Sequence, residues 1–303
     1  MLQLTYALRS DAGKIRMNNE DNYFWNGCFR EDVTCHTSAL SGTATDVQAL
    51  AAVCDGMGGE ASGEIASLIA VRNLRACTFP EIHETARESI RAANSEICQE
   101  IDHIGKRMGS TVTALYIDGG FAVPCNLGDS RIYLFRDETL YQLTTDHCKS
   151  QRLVRMGILT EEEARTHPSK HELTQHLGIY EEEMVVEPEF GDVVALQPDD
   201  TFLLCSDGLT DMVTDEEIAN LMNENKTPDV QADVLLQAAL DNGGRDNVTV
   251  LVIRVEKKTR RGSFSVHRSE KTPGSNDSST SGLSPRGHLE RQAEFHASTQ
   301  DEA

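Results

Sequence analysis

Basic residues are scarce: 28 Lys and Arg stand against 49 Asp and Glu in 303 residues, a formal charge of −21. Nucleic acid and anionic membrane both call for a basic face, so neither partner is expected. No run of about 20 apolar residues exists, which argues against a membrane-spanning helix. The first residues, Met1-Leu2-Gln3-Leu4-Thr5-Tyr6, lack the basic start and apolar stretch of a secretory signal. The eight cysteines include no C-x-x-C pair, and Cys35-His36 and His147-Cys148 lack the spacing of a zinc site. Cys54, Cys125 and Cys205 sit inside apolar runs, where a free thiol behaves as a small buried hydrophobe. A cytoplasmic, reducing compartment follows as the expectation, with a monomer as the default state.

What is present is unevenly spread. Residues 256–303 hold seven acids and eight bases, so the negative charge of the chain rests on the first 255 residues. The last 48 residues open with Lys257-Lys258-Thr259-Arg260-Arg261 and continue as a Ser/Thr/Gly/Pro mixture with few large apolar side chains. Such a segment buries too little apolar surface to offset its ordering entropy, so residues 256–303 are expected to be a disordered tail. Residues 1–255 are long enough for one large domain with a substantial core.

Within that domain, apolar or alternating runs predict strands at Ala49–Cys54, Thr111–Ile117, Phe121–Asn126, Arg131–Phe135, Thr201–Cys205 and Val248–Val255. Asn22-Tyr23-Phe24-Trp25 is a further short strand-like piece. Helical spacing of apolar residues marks Gly63–Cys77, Ile82–Ile104 and Asp229–Leu240. Short turns such as Asp118-Gly119-Gly120 join the middle strands, which predicts antiparallel neighbours. Strands grouped together, with helices before and after them, predict an α+β fold. The polar stretch 145–180 reads as a flap of helical and irregular structure.

The informative feature is where acids fall relative to strands. The run Ala49–Cys54 leads directly into Asp55-Gly56, and Thr201–Cys205 leads through Ser206 into Asp207-Gly208. Asp246-Asn247 feeds Val248–Val255, Asp129 lies between two strands, and Glu20-Asp21 precedes Asn22–Trp25. One Asp-Gly after a strand is an ordinary turn. Several acids at neighbouring strand ends would repel strongly, and a divalent cation is their natural counter-charge. Hard oxygen donors without a His/Cys set favour Mg²⁺ or Mn²⁺. Gly56, with no side chain, leaves its carbonyl free to approach an ion. Two such ions about 3.5–4 Å apart can share a water, lower its pKa and aim it at phosphorus. Arg16, five residues before Asp21, has the planar fork that suits a phosphate.

The chain resembles the metal-dependent protein phosphatases of type 2C in their bacterial form. The resemblance rests on Arg16-Met17-Asn18-Asn19-Glu20-Asp21, Asp55-Gly56-Met57-Gly58-Gly59, Gly109-Ser110-Thr111, Asn126-Leu127-Gly128-Asp129-Ser130-Arg131, Leu143-Thr144-Thr145-Asp146-His147, Ser206-Asp207-Gly208-Leu209 and Asp246-Asn247-Val248-Thr249. Leu173-Thr174-Gln175-His176-Leu177-Gly178 completes the series, and together these motifs span about residues 5–255 in the family's order. It implies a four-layer α-β-β-α sandwich of two central antiparallel sheets flanked by helices, with a catalytic domain over 1–255. It implies that Asp55 bridges two ions and positions the water between them, that Gly56 lends a carbonyl, and that Asp207 and Asp246 complete one ion's shell. Asp21, with Glu20 through water, would support the other ion; Asp129 and Asp207 would form a third, weaker site; Arg16 would bind phosphate. The implied activity is hydrolysis of phosphoserine and phosphothreonine on proteins with Mn²⁺ or Mg²⁺, opposite a cognate Ser/Thr kinase.

Members of the eukaryotic type carry a histidine where this chain has Met57, which cannot donate a proton to the leaving oxygen. Metal-bound water is the preferred donor, and His147 is a secondary candidate. Two alternatives stand beside the general enzyme: a pseudophosphatase that binds phosphoproteins without turnover, and a dedicated phosphatase of an anti-sigma-factor antagonist. In the tail, Arg260-Arg261-Gly262-Ser263 presents Ser263 in a context that basophilic kinases accept.

Overall fold

The structure, a computed structural model, describes residues 2–58, 62–223 and 226–258. The chain starts with β1 (Leu2–Asp11), β2 (Asn22–Trp25), β3 (Thr37–Ala44), β4 (Ala49–Cys54) and β5 (Gly56–Gly58). Helices α1 (Gly63–Asn73) and α2 (Ile82–Ile104) follow. Next come β6 (Met108–Ser110), β7 (Val112–Asp118), β8 (Phe121–Leu127), β9 (Arg131–Arg136) and β10 (Thr139–Gln142). The flap carries α3 (Lys149–Arg155) and α4 (Glu161–Thr166) and runs on to the short β11 (Glu189–Phe190) and β12 (Val194–Ala195). The chain closes with β13 (Thr201–Cys205), α5 (Asp207–Thr210), α6 (Asp215–Asn223), α7 (Pro228–Asp241) and β14 (Val248–Lys257).

Two sheets form the centre. One has the order β10-β9-β13-β14-β1-β3, the other β11-β8-β7-β4-β2 with β12 also on β8, and every pairing is antiparallel. Alternation along each strand decides the layering. On β14, Val248, Val250 and Val252 pack with Leu235 and Ala239 of α7, while Leu251, Ile253 and Val255 turn toward the other sheet. On β4, Leu50, Ala52 and Cys54 meet α1 and α2, while Ala49, Ala51 and Val53 face the first sheet. Both faces of the central strands are thus covered, which is why they read as unbroken apolar runs rather than as alternating ones. The result is the expected sandwich: α1 and α2, one sheet, the other sheet, then α6 and α7.

Local chemistry sets the element ends. Gly105 takes φ 75° and its N–H returns to Ile101 O, closing α2 with a left-handed cap. Pro228 stands in the first turn of α7, where its missing N–H costs nothing. Thr160 and Glu163 make a reciprocal capping box on α4. All eight cysteines are free, with Cys54, Cys125 and Cys205 buried. Among the described residues no helix is long and apolar enough to cross a membrane.

Strand β14 continues to Lys257, so regular structure passes the expected domain edge by two residues. The disorder expected of the tail, and the expectation for Ser263, fall on residues 259–303, outside the described ones. Strand β1, central in its sheet, and the edge strand β3 were not anticipated from sequence.

Phe202 is fully buried between the two sheets. Phe202→Ala is expected to lower unfolding free energy by about 3–5 kcal/mol through lost transfer energy plus a residual cavity. Chemical denaturation reads it as a lower midpoint at unchanged slope.

Candidate metal centre

The two sheets bring their acidic ends to one edge of the sandwich. Asp55 leaves β4 and is clamped by Thr111: the Asp55 N–H donates to Thr111 Oγ1 (2.9 Å) and the Thr111 N–H to Asp55 O (2.9 Å). Thr111 Oγ1 also shares a hydrogen bond with Ser130 Oγ at 2.8 Å, which ties Asp55 to the turn holding Asp129. A Cβ at Gly56 would collide with the carbonyls of Gly63 and Glu20, so only glycine lets the backbone sit there.

Asp21 comes from the loop before β2 and is 1% exposed. Its Oδ2 accepts from Ser206 Oγ (2.7 Å), the residue that introduces Asp207. Its Oδ1 is buried with no hydrogen-bond partner. Behind it lies Arg30, 5% exposed, whose Nη2 donates to the carbonyls of Asn19 (2.7 Å) and Asp21. Glu20 is positioned through its backbone: its N–H donates to Asn247 Oδ1 at 2.7 Å, and its carbonyl accepts from Ser67 Oγ at 2.6 Å.

Asn247 is the fastener of the site. Besides Glu20, its side chain reaches Ala12 O (3.0 Å) and Asn18 O (2.8 Å), so the loop bearing Arg16, Glu20 and Asp21 is stitched to the start of β14. The neighbouring Asp246 accepts from the Asn247 N–H through Oδ1 (2.8 Å) and from Arg16 Nη2 through Oδ2 (2.6 Å). Asp207 caps β13, and a Cβ on Gly208 would collide with Asn247 O. Arg16, Glu20, Asp55, Gly56, Asp129, Asp207 and Asp246 therefore all line one cleft of about 650 Å³. Asp21 sits beneath it, joined by the Ser206 hydrogen bond.

Crowding shows in the protonation energetics. Burial drives the Asp55 carboxyl well above the ordinary range, and the charges of Asp21, Asp207, Asp129 and Asp246 push it further. Burial does the same to Asp129, reinforced by Asp207. Asp21 rises to about 7 through burial, against the opposing hydrogen bond of Ser206. Glu20 also rises to about 7, through burial and then the Glu64 charge, with Arg16 pulling the other way. Asp246 is raised by burial and by Asp207, and Arg16 softens the effect. Five acids of one sign, with an orphaned oxygen on Asp21, form a hard-oxygen donor set that fits divalent Mn²⁺ or Mg²⁺.

A residue that sequence reading passed over joins them. His171, in the flap, places Nδ1 3.6 Å from Asp207 Oδ2 and Nε2 3.4 Å from Asp211 Oδ2. Asp129, His171 and Asp207 each offer a ligand atom within 4.8 Å of one another. The sequence had pointed to His147 instead. His147 is nearly buried at the flap base, its Nδ1 accepting from the Gly128 N–H (3.3 Å) and its Nε2 3.2 Å from Glu189 Oε2. It does not line the cleft. No apolar periodicity marks His171, and only the fold of the flap brings it to Asp207. Asn247 was visible within a motif, but its stitching of three backbone positions was not.

Two outcomes follow from this geometry. Carboxyls that hold protons more tightly when folded than when unfolded (about 4 in the open chain) contribute stability in full below that value. They lose it as pH rises toward about 7, the value for Asp21 and Glu20. Chelator-treated protein is therefore expected to lose Tm between about pH 4 and pH 7, with Mn²⁺ removing the slope and Asp21→Asn raising the chelated Tm at the upper end. Asn247→Ala, which unfastens the Arg16–Asp21 loop, is expected to weaken Mn²⁺ binding about 10–100-fold in calorimetric titration.

Comparison with known proteins agrees with the geometry. The family profile described as Protein phosphatase 2C matches residues 27–238. The chain is 38% identical over 257 residues to the serine/threonine phosphatase stp of Listeria monocytogenes, covering 81% of this chain and 93% of that one. Its fold matches the crystal structure of the Mycobacterium tuberculosis serine/threonine phosphatase PstP/Ppp with a TM-score of 0.70 at 34% identity, covering 84% of this chain and all of that one. It also matches the catalytic domain of the serine/threonine protein phosphatase PstP in complex with two manganese ions, with a TM-score of 0.69 at 33% identity, over 85% of this chain and all of that one. The acidic end of the sandwich and these likenesses lead to one assignment: the chain belongs to the protein phosphatase 2C family, in its bacterial serine/threonine form.

Proposed function

We propose that the chain hydrolyses phosphoserine and phosphothreonine on proteins, with two Mn²⁺ or Mg²⁺ ions held by Asp21, Asp55, Asp207, Asp246 and the Gly56 carbonyl. The observation that carries this reading is the convergence of these carboxylates at one edge of the sandwich, with Asp21 Oδ1 buried and unpartnered. Glu20 supports the set through water. Asp129 and Asp207, with the His171 ring beside them, hold a third and weaker ion. Residues 1–255 form the catalytic domain and 145–180 its flap.

When bound, the ions supply Lewis-acid polarisation of the phosphoryl group and make water acidic. The chain's own residues do the rest. Arg16, whose side chain is 53% exposed, presents its guanidinium at the mouth of the cleft and grips the phosphoryl oxygens. Asp55, clamped by Thr111, fixes the attacking water in line with the ester bond. The water oxygen bonds to phosphorus, the P–O bond to the serine or threonine side chain breaks, and that oxygen takes a proton. Met57 lines the cleft and cannot supply it. His147 is held at the flap base by Gly128 and Glu189, so the proton comes from water.

The substrates on this reading are phosphoproteins made by a cognate Ser/Thr kinase, and the enzyme works as a cytoplasmic monomer. A pseudophosphatase would require a gap in the ligand set, and every assigned position carries a competent donor. Phosphate release from a phosphothreonine peptide is expected to depend on Mn²⁺ and to stop with chelator. Asp207→Asn is expected to lower kcat/KM about 100-fold or more with the fold retained, as read by circular dichroism. Full turnover in that variant would refute the ligand assignment.

A further inference from the structure

A second recess opens from the metal cleft on the side away from Arg16. The two share Met57, Gly58, Leu173 and His176 in their walls, so they adjoin along that side. The recess measures about 650 Å³ and its character is opposite to that of the cleft. Met57, Met108, Leu173, Ile179 and Met184 supply apolar walls and floor. Met108 and Ile179 are 4% and 7% exposed and form the floor, while Met57, Leu173 and Met184 are half-buried around the opening.

The floor is rigid. Met108 and Gly109 lie against Leu177 and Gly178, with Leu177 N–H donating to Ser110 O (2.8 Å) and Ser110 N–H to Leu177 O (3.3 Å). A Cβ at Gly109 would collide with Leu177 O, and one at Gly178 (φ 92°) with Met108 O, so the two backbones touch with no side chain between them. At the far rim Arg107 Nη2 pairs with Glu183 Oε1 at 2.6 Å and the guanidinium lies 4.9 Å from the Tyr180 ring centroid. The rim charges are thus matched with each other, and the interior is left without a carboxylate.

We propose that this recess is a specificity subsite that receives an apolar side chain of the substrate protein close in sequence to the phosphoresidue. The inference rests on the phosphatase reading above. Adjacency to the cleft selects the occupant: a chain whose phosphoryl group lies at Asp55 and that continues past Met57 brings a neighbouring side chain to Met184 and Leu173. A preformed apolar recess binds without an ordering cost. Methionine walls adapt to more than one shape, so Leu, Met and Phe are accepted alike and polar residues are not.

The test uses the full-length enzyme with Mn²⁺ and a set of phosphothreonine peptides. Leucine is placed in turn at each of the three positions on either side of the phosphothreonine, against serine elsewhere. Leucine at one position is expected to raise kcat/KM about tenfold over serine. Met184→Glu, and independently Met184→Ser, should remove that gain while leaving turnover of p-nitrophenyl phosphate and of the all-serine peptide unchanged. Turnover of all peptides at equal kcat/KM would overturn the subsite alone, as would a leucine gain that survives both substitutions. No turnover of any peptide or of p-nitrophenyl phosphate would overturn the phosphatase reading and this inference with it.

Discussion

Like charges held together out of water are the constraint on which this structure turns. Asp21, Asp55, Asp129, Asp207 and Asp246 gather at one edge of two sheets, and each of those with a perturbed carboxyl is perturbed upward, burial being the largest cause. Neutral side chains there would relieve the repulsion and remove the hard-oxygen donors. The fold tolerates the repulsion because its strands are buried on both faces and locked by one core between the sheets and two more against the outer helices. Stability stored in the apolar layers is what allows a strained polar edge.

The same layering explains how residues so far apart in sequence become a single site. Asp21 accepts from Ser206 across 185 positions of chain, and Glu20 is fixed by Asn247 across 227. The first link runs from the neighbour of Asp207 to the Asp21 carboxylate, the second from the neighbour of Asp246 to the Glu20 backbone, so these acids are placed by the residues beside other acids. Arg30 acts in the same way from below, through the carbonyls of Asn19 and Asp21.

Much of this was legible in the sequence because the central strands leave a strong trace. Ala49–Cys54, Thr201–Cys205 and the strand from Val248 are continuous apolar runs that abut Asp55, Asp207 and Asp246, and they form where expected. What was hidden had weak or ambiguous patterning. Strand β1 mixes Gln3, Thr5 and Arg9 with its apolar residues because one of its faces meets the polar side of α7, where Arg9 pairs with Asp229 and Asp233. Strand β3 is a largely exposed edge of Ser, Thr, Gly and Ala in which Leu40 is the sole large apolar residue. His171 lies in an irregular stretch where no period operates, so only the folded flap reveals its place beside Asp207. The apolar recess is assembled from β5, β6 with the residue before it, and the stretch from Leu173 to Met184, which no local window can join.

The two-sided burial of β14 has a consequence for how such a chain can change in length. Val250 and Val252 answer to the helices and Leu251 and Ile253 to the opposite sheet, so adding or deleting one residue between Asp246 and Val255 would exchange the two sets and swing the acid out of line. The distance from that aspartate to the end of its strand is therefore locked to the residue. Segments that answer to neither interior, such as the exposed turn between α3 and α4, are free to grow or shrink, and it is there that descendants of one ancestral chain can diverge in outline while keeping the same chemistry.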